Sequence, residues 1–249
     1  MMRHLIRVAA ATALMLGQAG PALADRADDA VASPQRLPAD RALDDSRQPA
    51  GVLRFAGVRQ GDVVADFMAG GGYYSSLLAE MAGPKGIVYA VNPVSFHPKS
   101  EWTERSTRYA TIRTMPVRPE AMLLAPGSVD MIFAHLTFHD LYWESEQYAF
   151  PRLDVPAVLS NWFVAVRPGG HVVIVDHVGP AGDPREVTGK LHRIAPETVV
   201  AAMETAGFVL VGQSDMLRRN TDDLTKSVFD EAVRGKTDRL VMKFQRPVS

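Results

Sequence analysis

The sequence predicts an α/β fold in which a doubly wound, mostly parallel sheet of seven strands lies between two layers of helices. Apolar runs of strand length alternate with amphipathic runs of helical length through most of the chain, which is the pattern of repeated βα units. Two strand-like runs in succession, 208–217 and 239–244, predict an antiparallel pair at one edge of the sheet. The 249 residues suffice for one such domain with a substantial core.

Each element has its own local signal. Short apolar runs bounded by glycine, proline or polar residues predict strands at 63–65, 86–91, 110–114, 129–134, 171–176, 208–217 and 239–244. Apolar residues at helical spacing predict helices at 50–58, 73–81, 101–109, 155–166 and 196–206. The segment Arg167-Pro168-Gly169-Gly170 predicts a helix stop and a tight turn before the fifth strand. The polar insert 218–238 predicts a solvated helix and loop.

Composition excludes several classes of function. The formal net charge is -1, so we expect a small-molecule substrate and no nucleic-acid partner. The absence of cysteine excludes disulfides, thiolate nucleophiles and zinc-thiolate sites.

The start of the chain predicts export. Arg3, His4 and Arg7 precede an apolar run at 8–16, which ends in the A-x-A-type processing site at 21–24. We therefore expect residues 1–24 to be a bacterial signal peptide, a periplasmic location, and no stable membrane insertion after the signal is removed. Residues 25–48 lack periodicity and predict a linker or loosely docked arm, and 49–249 predict the folded domain.

One strand-turn-helix segment predicts a cofactor site. Asp66 ends the first strand, and Gly70, Gly71 and Gly72 follow it as a turn without Cβ atoms. Ligands of open α/β sheets bind at the carboxyl ends of the strands, where such a turn lets them approach the backbone. The turn alone does not separate a methyl donor from a dinucleotide.

The ordered set of motifs resembles a class I S-adenosylmethionine-dependent methyltransferase over about residues 49–246. The matching pieces are the D-x-x-x-G-x-G turn from Asp66, the second strand ending at Asn92, V-D-M-I-F-A, R-P-G-G, A-G-F and the final strand pair. More narrowly, G-G-G-Y-Y, T-F-H-D and V-D-H resemble an exported bacterial group of predicted methyltransferases. The resemblance implies a Rossmann-like three-layer sandwich, S-adenosylmethionine as cofactor, and a small-molecule methyl acceptor of unspecified identity.

The resemblance also implies roles for individual residues. The cofactor-binding set is Asp66, Ala69, Gly70, Gly71, Gly72, Tyr74, Asn92 and His135. Asp66 and the glycine turn would face the methionine part, and Asn92 would face the ribose. Asn92 departs from the family's acidic residue, which leaves one acceptor fewer and weakens binding by about 1–2 kcal/mol. Met68 departs from the family's first glycine and would narrow the turn or push the cofactor outward.

Histidines and carboxylates near the carboxyl ends of the strands predict acid-base chemistry. They are His135, His139, His177, His192, Asp140 and Asp176. We predict His139, Asp140 and His177 as catalytic, with either His139 beside Asp140 or His177 beside Asp176 as general base. No metal is assigned, although imidazole and carboxylate together suit zinc or iron. Trp143, Tyr148 and Phe150 predict either an apolar substrate pocket or a lid packed on itself.

Three other functions compete with methyl transfer. An exported, non-catalytic ligand-binding protein on the same fold is favoured by the export signal, Met68 and Asn92. A metal-dependent enzyme, such as a hydrolase, is favoured by the histidine cluster. A nicotinamide-dependent oxidoreductase is disfavoured because the chain lacks a G-x-G-x-x-G motif.

Overall fold

The computed structural model describes residues 23–248 and contains the predicted sheet. Its strands are β1 (Val63–Phe67), β2 (Ile87–Pro93), β3 (Ile112–Val117), β4 (Val129–His135), β5 (Val166–His177), β6 (Val209–Gln213) and β7 (Arg239–Gln245). They lie in the order β3-β2-β1-β4-β5-β7-β6, and only the pairs β5-β7 and β6-β7 are antiparallel. The predicted fold is therefore confirmed. Residues 1–22 of the predicted signal peptide lie outside the described residues.

Helices cover both faces of this sheet. They are α1 (Leu23–Ala32), α2 (Pro38–Arg41), α3 (Asp44–Arg47), α4 (Pro49–Ala56), α5 (Tyr73–Ala82), α6 (Lys99–Arg108), α7 (Val155–Ala165), α8 (Pro184–Leu191) and α9 (Pro196–Thr205). Alternate residues of β5 enter different cores: Val172 packs in the core with α7 and α9, and Val173 packs in the core with α4 and α5. In the described part of the chain, no helix is long and apolar enough to cross a membrane.

The glycines before the fifth strand lie within that strand, so the predicted turn there is wrong. β5 already pairs with β4 at Val166, and the segment up to His171 forms an irregularity in the pairing. A Cβ atom on Gly170 would lie 2.6 Å from the backbone oxygen of Asp130. Glycine is therefore required for close approach of two backbones inside the sheet, a contact that the local sequence does not reveal.

Residues 25–48 also differ from the prediction, because they are helical and packed against the domain. Ala27 and Ala30 of α1 are buried in the core that contains α4 and α5. The carboxylate of Asp40 accepts two hydrogen bonds from the buried Arg105 guanidinium of α6, at 2.8 and 3.1 Å. The partners of the charged residues in this segment lie far away in the sequence, so a local scan does not detect them.

The insert 218–238 forms turns rather than a solvated helix. It is attached through the ion pair between Arg193 and Asp222, whose side chains are both fully buried and 2.7 Å apart. Asp238 also accepts hydrogen bonds from Arg218 and from the backbone N–H of Arg219. The insert is thereby held against the carboxyl end of the sheet.

Asp40→Ala should lower the free energy of unfolding by about 3–5 kcal/mol, because it leaves the Arg105 guanidinium buried without its carboxylate. Urea denaturation of the variant and of the original protein measures this change. Glu104→Ala is the matched control, since it breaks the exposed pair of α6 with Arg108 and should change stability by less than about 1 kcal/mol. Equal effects of the two substitutions would show that the packing of residues 25–48 is not stabilising.

Candidate functional site

Two adjoining cavities lie at the carboxyl ends of the parallel strands. The first, which we call the glycine cavity, has a volume of about 400 Å³ and is bordered by Arg47, Asp66, Ala69, Gly70, Gly71, Tyr74 and His135. The second, the histidine cavity, has a volume of about 500 Å³ and is bordered by Asn92, His139, Asp140, His177, His192 and a group of aromatic residues. Met68, Leu136 and Thr137 border both cavities and form the wall between them. The structure thus brings the predicted site residues to one rim, with Gly72 the exception.

The three glycines of the turn serve different purposes. Gly70 has φ +55°, and a Cβ atom there would meet no other atom within 4 Å, so its backbone is open to a ligand. A Cβ atom on Gly71 would contact the tip of the flexible Glu101 side chain, and one on Gly72 would lie 2.6 Å from the Trp102 ring. Gly72 therefore makes room for α6, whereas no protein atom hinders a ligand that approaches Gly70.

Asn92 fastens the glycine turn instead of offering its side chain to a ribose. Its Oδ1 accepts from the backbone N–H of Gly70 at 2.8 Å, and its Nδ2 donates to the carbonyl of the same residue at 3.1 Å. The Trp102 indole N–H donates to that carbonyl at 2.9 Å. An amide matches both backbone groups of one residue, whereas a carboxylate has no donor for the carbonyl. The predicted ribose contact of Asn92 is therefore not supported by this geometry.

Asp66 is a buried carboxylate at the edge of the glycine cavity. Burial raises its pKa to about 7, against the opposing effects of the Ser75 hydroxyl and of Arg105 and Arg47. The Ser75 hydroxyl donates to Asp66 Oδ2 at 2.5 Å. One carboxylate oxygen is thus fixed by the protein, and the side chain borders the cavity with little access to bulk water.

Arg47 brings positive charge to the same cavity, and no local sequence signal identified it. Its guanidinium lies over the Tyr73 ring at 4.3 Å from the centroid, and burial lowers its pKa. Within residues 23–248 it forms no ion pair with a carboxylate, whereas the neighbouring Arg36 is paired with Asp44. A cation without a paired carboxylate at a cavity wall favours an anionic ligand group.

His135 borders the glycine cavity as an uncharged ring. Its centroid lies 4.5 Å from that of Tyr74, and its buried Nε2 has no hydrogen-bond partner among the described residues. Burial, with repulsion from Arg47 and Arg239, holds its pKa well below the ordinary value. His135 therefore offers one unsatisfied nitrogen in the first cavity and is separate from the other histidines.

The wall between the cavities contains two left-handed backbone conformations. Met68, directly after β1, has φ 55°, and Leu136, directly after β4, has φ 59°. A left-handed backbone conformation costs about 1–2 kcal/mol for a residue that, like these two, has a Cβ atom. Strain of this kind at the ends of adjacent strands is typical of functional sites. The bulk of Met68 thus divides the rim into two cavities.

His139 is the centre of the second cavity. Its Nδ1 lies 2.7 Å from Asp176 Oδ1, its backbone N–H donates to Asp176 Oδ2 at 2.8 Å, and its Nε2 lies 3.3 Å from Asp140 Oδ1. Burial opposes protonation of the ring, but the two carboxylates outweigh it and raise the pKa of His139 to about 9. Burial also raises the pKa of Asp140 to about 6. The predicted pair of His139 and Asp140 is present, with Asp176 as its organising residue.

The other two histidines of the cavity have different surroundings. The His177 ring lies 2.7 Å from the Thr237 hydroxyl through Nδ1, so its side chain does not form the predicted pair with Asp176. Of the groups of His177, the backbone N–H is the one that donates a hydrogen bond to the Asp176 carboxylate. His192 ends α8 with φ 51°, and its Nδ1 lies 3.9 Å from Asp140 Oδ1. Burial and the charge of His139 lower the pKa of His192 to about 4.

Aromatic side chains form the outer wall of the histidine cavity. Trp143, Tyr148 and Phe150 border it, and they also pack on one another with ring centroids 5.3–6.2 Å from each other and from Phe96. Both predicted arrangements, a pocket and a lid packed on itself, are therefore present together. Phe229 of the insert completes the wall, 4.8 Å from the His192 ring. No sequence signal identified Phe229, because a single aromatic residue in a polar insert has no periodicity.

Several solved structures that this chain resembles are methyltransferases. A SAM-dependent methyltransferase from Aquifex aeolicus is 21% identical over 86% of this chain and 96% of its own, with a TM-score of 0.57. One from Mesorhizobium loti is 15% identical over 82% of this chain and 100% of its own, also with a TM-score of 0.57. The 1,6-didemethyltoxoflavin-N1-methyltransferase of Burkholderia thailandensis, solved with S-adenosylhomocysteine, is 16% identical over 88% and 80%, with a TM-score of 0.51.

These likenesses establish the class I methyltransferase fold for this chain. No protein-family model and no curated protein matches the sequence. Its function therefore rests on the chemistry of the two cavities.

Asn92→Asp should destabilise the protein by about 1–3 kcal/mol, because a carboxylate cannot donate to the Gly70 carbonyl. Urea denaturation measures the loss, and calorimetric titration with S-adenosylhomocysteine measures ligand affinity. Asn161→Asp is the matched control, since Asn161 bonds both backbone groups of Leu124 away from the cavities. It should lower stability similarly and leave ligand affinity unchanged. Tighter ligand binding by Asn92→Asp would restore the ribose role predicted from the sequence.

Proposed function

We propose that this protein is an S-adenosylmethionine-dependent methyltransferase that acts on a small-molecule acceptor. The observation that carries the proposal is the pairing of Asp66 and Arg47 in one cavity beside the open backbone of Gly70. A carboxylate and a guanidinium on one cavity complement the ammonium and carboxylate of an α-amino acid. S-adenosylmethionine contains that group, and the fold is that of enzymes that use it.

The residues of the glycine cavity fit the cofactor. Asp66 would accept from the ammonium through the carboxylate oxygen that Ser75 leaves free, and Arg47 would pair with the carboxylate. The open face of Gly70 admits close approach of the ligand to the backbone. Bound there, S-adenosylmethionine supplies a methyl group on a positively charged sulfur. Asn92 would act indirectly, by holding Gly70 in its left-handed conformation.

The histidine cavity adjoins the cofactor cavity through Met68, Leu136 and Thr137 and is the proposed site of the acceptor. Its aromatic wall favours an apolar or aromatic body, and its histidine end favours a group that loses a proton. His139 and Asp140 are the proposed groups at which that proton is accepted, with Asp176 orienting the His139 ring. His177 borders the same space, where it would contact the acceptor.

Export and the histidine cavity support a second candidate, a non-catalytic ligand-binding protein on the same fold. The start of the sequence has the pattern of a secretory signal, which supports a periplasmic location, and S-adenosylmethionine is made in the cytoplasm. The commitment of Asn92 to the backbone removes one contact with a ribose and supports the same reading. The two candidates differ in whether S-adenosylmethionine or S-adenosylhomocysteine binds.

Titration calorimetry of the full chain with S-adenosylhomocysteine should give one site per chain. Asp66→Asn should weaken binding about 10- to 100-fold, because the ammonium loses a charged partner. Asp62→Asn is the matched control: this carboxylate lies before β1, at the opposite end of the same strand, and should leave affinity unchanged. No heat at millimolar ligand would refute the methyltransferase proposal and leave the ligand-binding protein as the better account.

The same titration should depend on pH. Because burial raises the pKa of Asp66 to about 7, its carboxylate becomes protonated as the pH falls below that value. Affinity should then fall by up to about tenfold per pH unit. The guanidinium group of Arg47 keeps its charge over this range. Asp66→Asn should bind weakly at every pH, and an unchanged pH dependence in that variant would assign the titration to another group.

A further inference from the structure

We propose that His139, Asp140 and His192 bind a divalent transition-metal ion at the inner end of the histidine cavity. One nitrogen or oxygen from each residue is available, and these three atoms all lie within 4.8 Å of one another. The site joins residues from two segments, the turn after β4 and the end of α8. The proposal does not require methyl transfer or cofactor binding, and in the metal-bound protein His139 and Asp140 act as ligands instead of as proton acceptors.

The distances suit coordination. His139 Nε2 lies 3.3 Å from Asp140 Oδ1, and His192 Nδ1 lies 3.9 Å from the same oxygen. Ligands about 2.1 Å from a tetrahedral zinc ion lie about 3.4 Å from one another. The first separation already matches that value, and the second requires a shift of about 0.5 Å, within the rotation of one partly exposed carboxylate. The two ring nitrogens lie within 4.8 Å of each other, so metal binding would draw the rings together by up to about 1.4 Å.

Asp176 prepares His139 to be a ligand. It accepts from the Nδ1 side of the ring at 2.7 Å and from the backbone N–H of the same residue at 2.8 Å. With its proton on Nδ1, the ring presents the Nε2 lone pair to Asp140 and His192. A carboxylate behind a metal-binding histidine is the usual outer contact of such sites, because it fixes the tautomer and the ring orientation.

The charges of the cluster call for a cation. Asp140 and the fully buried Asp176 place two carboxylates on either side of the His139 ring, and the protonated ring balances one of the two negative charges. The nearby Arg193 guanidinium is paired with Asp222 and does not pair with these carboxylates. Buried carboxylates are stabilised by pairing or by metal coordination, and one divalent ion would balance both.

His192 is held rigidly in position. It ends α8 in a left-handed conformation, with its backbone N–H bonded to the carbonyl of Thr188. Its ring packs against Phe229 at 4.8 Å and Trp143 at 5.4 Å between centroids. A strained backbone and two aromatic neighbours restrict a ring that carries no hydrogen bond of its own in the described structure, which favours a ligand for its nitrogen.

Three protein ligands leave coordination positions open toward the cavity. Two histidines and one carboxylate with open positions suit zinc or iron(II). The open side faces Phe96, Trp143, Tyr148, Phe150 and Phe229. The ligand that fits this space is a planar aromatic molecule whose oxygen donor completes the coordination of the metal.

Titration of the chelator-stripped full chain with Co²⁺ tests the metal site through visible absorption and equilibrium dialysis. We expect one ion per chain. Asp140→Asn and His192→Gln should weaken binding by more than about 100-fold, and Asp176→Asn by about 10- to 100-fold, since it only orients His139. His171→Gln is the matched control, because His171 lies in the amino-terminal half of β5, borders a different cavity, and should leave binding unchanged.

The circular dichroism spectrum of each variant should match that of the original protein, which separates a loss of metal binding from unfolding. The His192 and Asp140 side chains are partly exposed, so we expect their substitution to leave the fold intact. If none of the four ions Co²⁺, Zn²⁺, Fe²⁺ and Mn²⁺ binds in a one-to-one ratio, the proposal is overturned. Binding that survives both Asp140→Asn and His192→Gln would overturn it equally. S-adenosylhomocysteine titration of the same samples tests the glycine cavity separately, so failure of one proposal is distinguishable from failure of the other.

A colour change on adding 4-nitrocatechol to the Co²⁺ protein tests the open coordination positions. The probe should bind the metal-loaded protein and not the stripped protein. Tyr148→Ser should weaken the probe about tenfold and leave Co²⁺ affinity unchanged, because Tyr148 borders the cavity and packs on Phe96 and Trp143, not on a proposed metal ligand. Equal binding to stripped and loaded protein would refute the assignment of an oxygen-donor ligand to the metal.

Discussion

The pair of hydrogen bonds between the Asn92 side chain and the backbone N–H and carbonyl of Gly70 is the contact on which the rest of the site depends. It joins the end of β2 to the turn after β1, and the Trp102 indole adds α6 to the same carbonyl. With Gly70 held in this way, Gly71 and Gly72 face α6 while the open side of Gly70 faces the cavities. One amide therefore decides which part of a glycine-rich turn is structural and which part is accessible.

A second buried side chain organises the other half of the rim. Asp176 lies near the carboxyl end of β5, and its carboxylate is hydrogen-bonded to both the backbone N–H and the ring of His139, in the turn after β4. The carboxylate thus ties two adjacent strand ends and turns Nε2 of His139 toward the cavity. Asn92 and Asp176 play similar roles. Each uses a buried polar group to position a neighbouring residue, and that neighbour is available to contact a ligand.

The two halves meet at Met68 and Leu136, the residues with left-handed backbones after β1 and β4. Gly70 also borders both cavities, and its open backbone marks the place where a methyl donor and an acceptor would come into direct contact. Much of the acceleration in a transfer of this kind comes from such positioning. The strain of the wall and the buried Asp66 reduce stability, which the packed helices of residues 25–48 offset.

The sequence by itself determined the strand and helix pattern, the antiparallel final pair, and the gathering of Asp66, Gly70, His139, Asp140 and His177 at one rim. These follow from local periodicity and from the rule that parallel strands end together. Only the tertiary structure decided that Asn92 bonds Gly70, that Arg47 and Phe229 enter the site, that His177 faces Thr237, and that residues 25–48 are packed. Periodicity reports which side chains are buried, whereas the partner of a buried polar group is chosen by contacts between residues far apart in the chain.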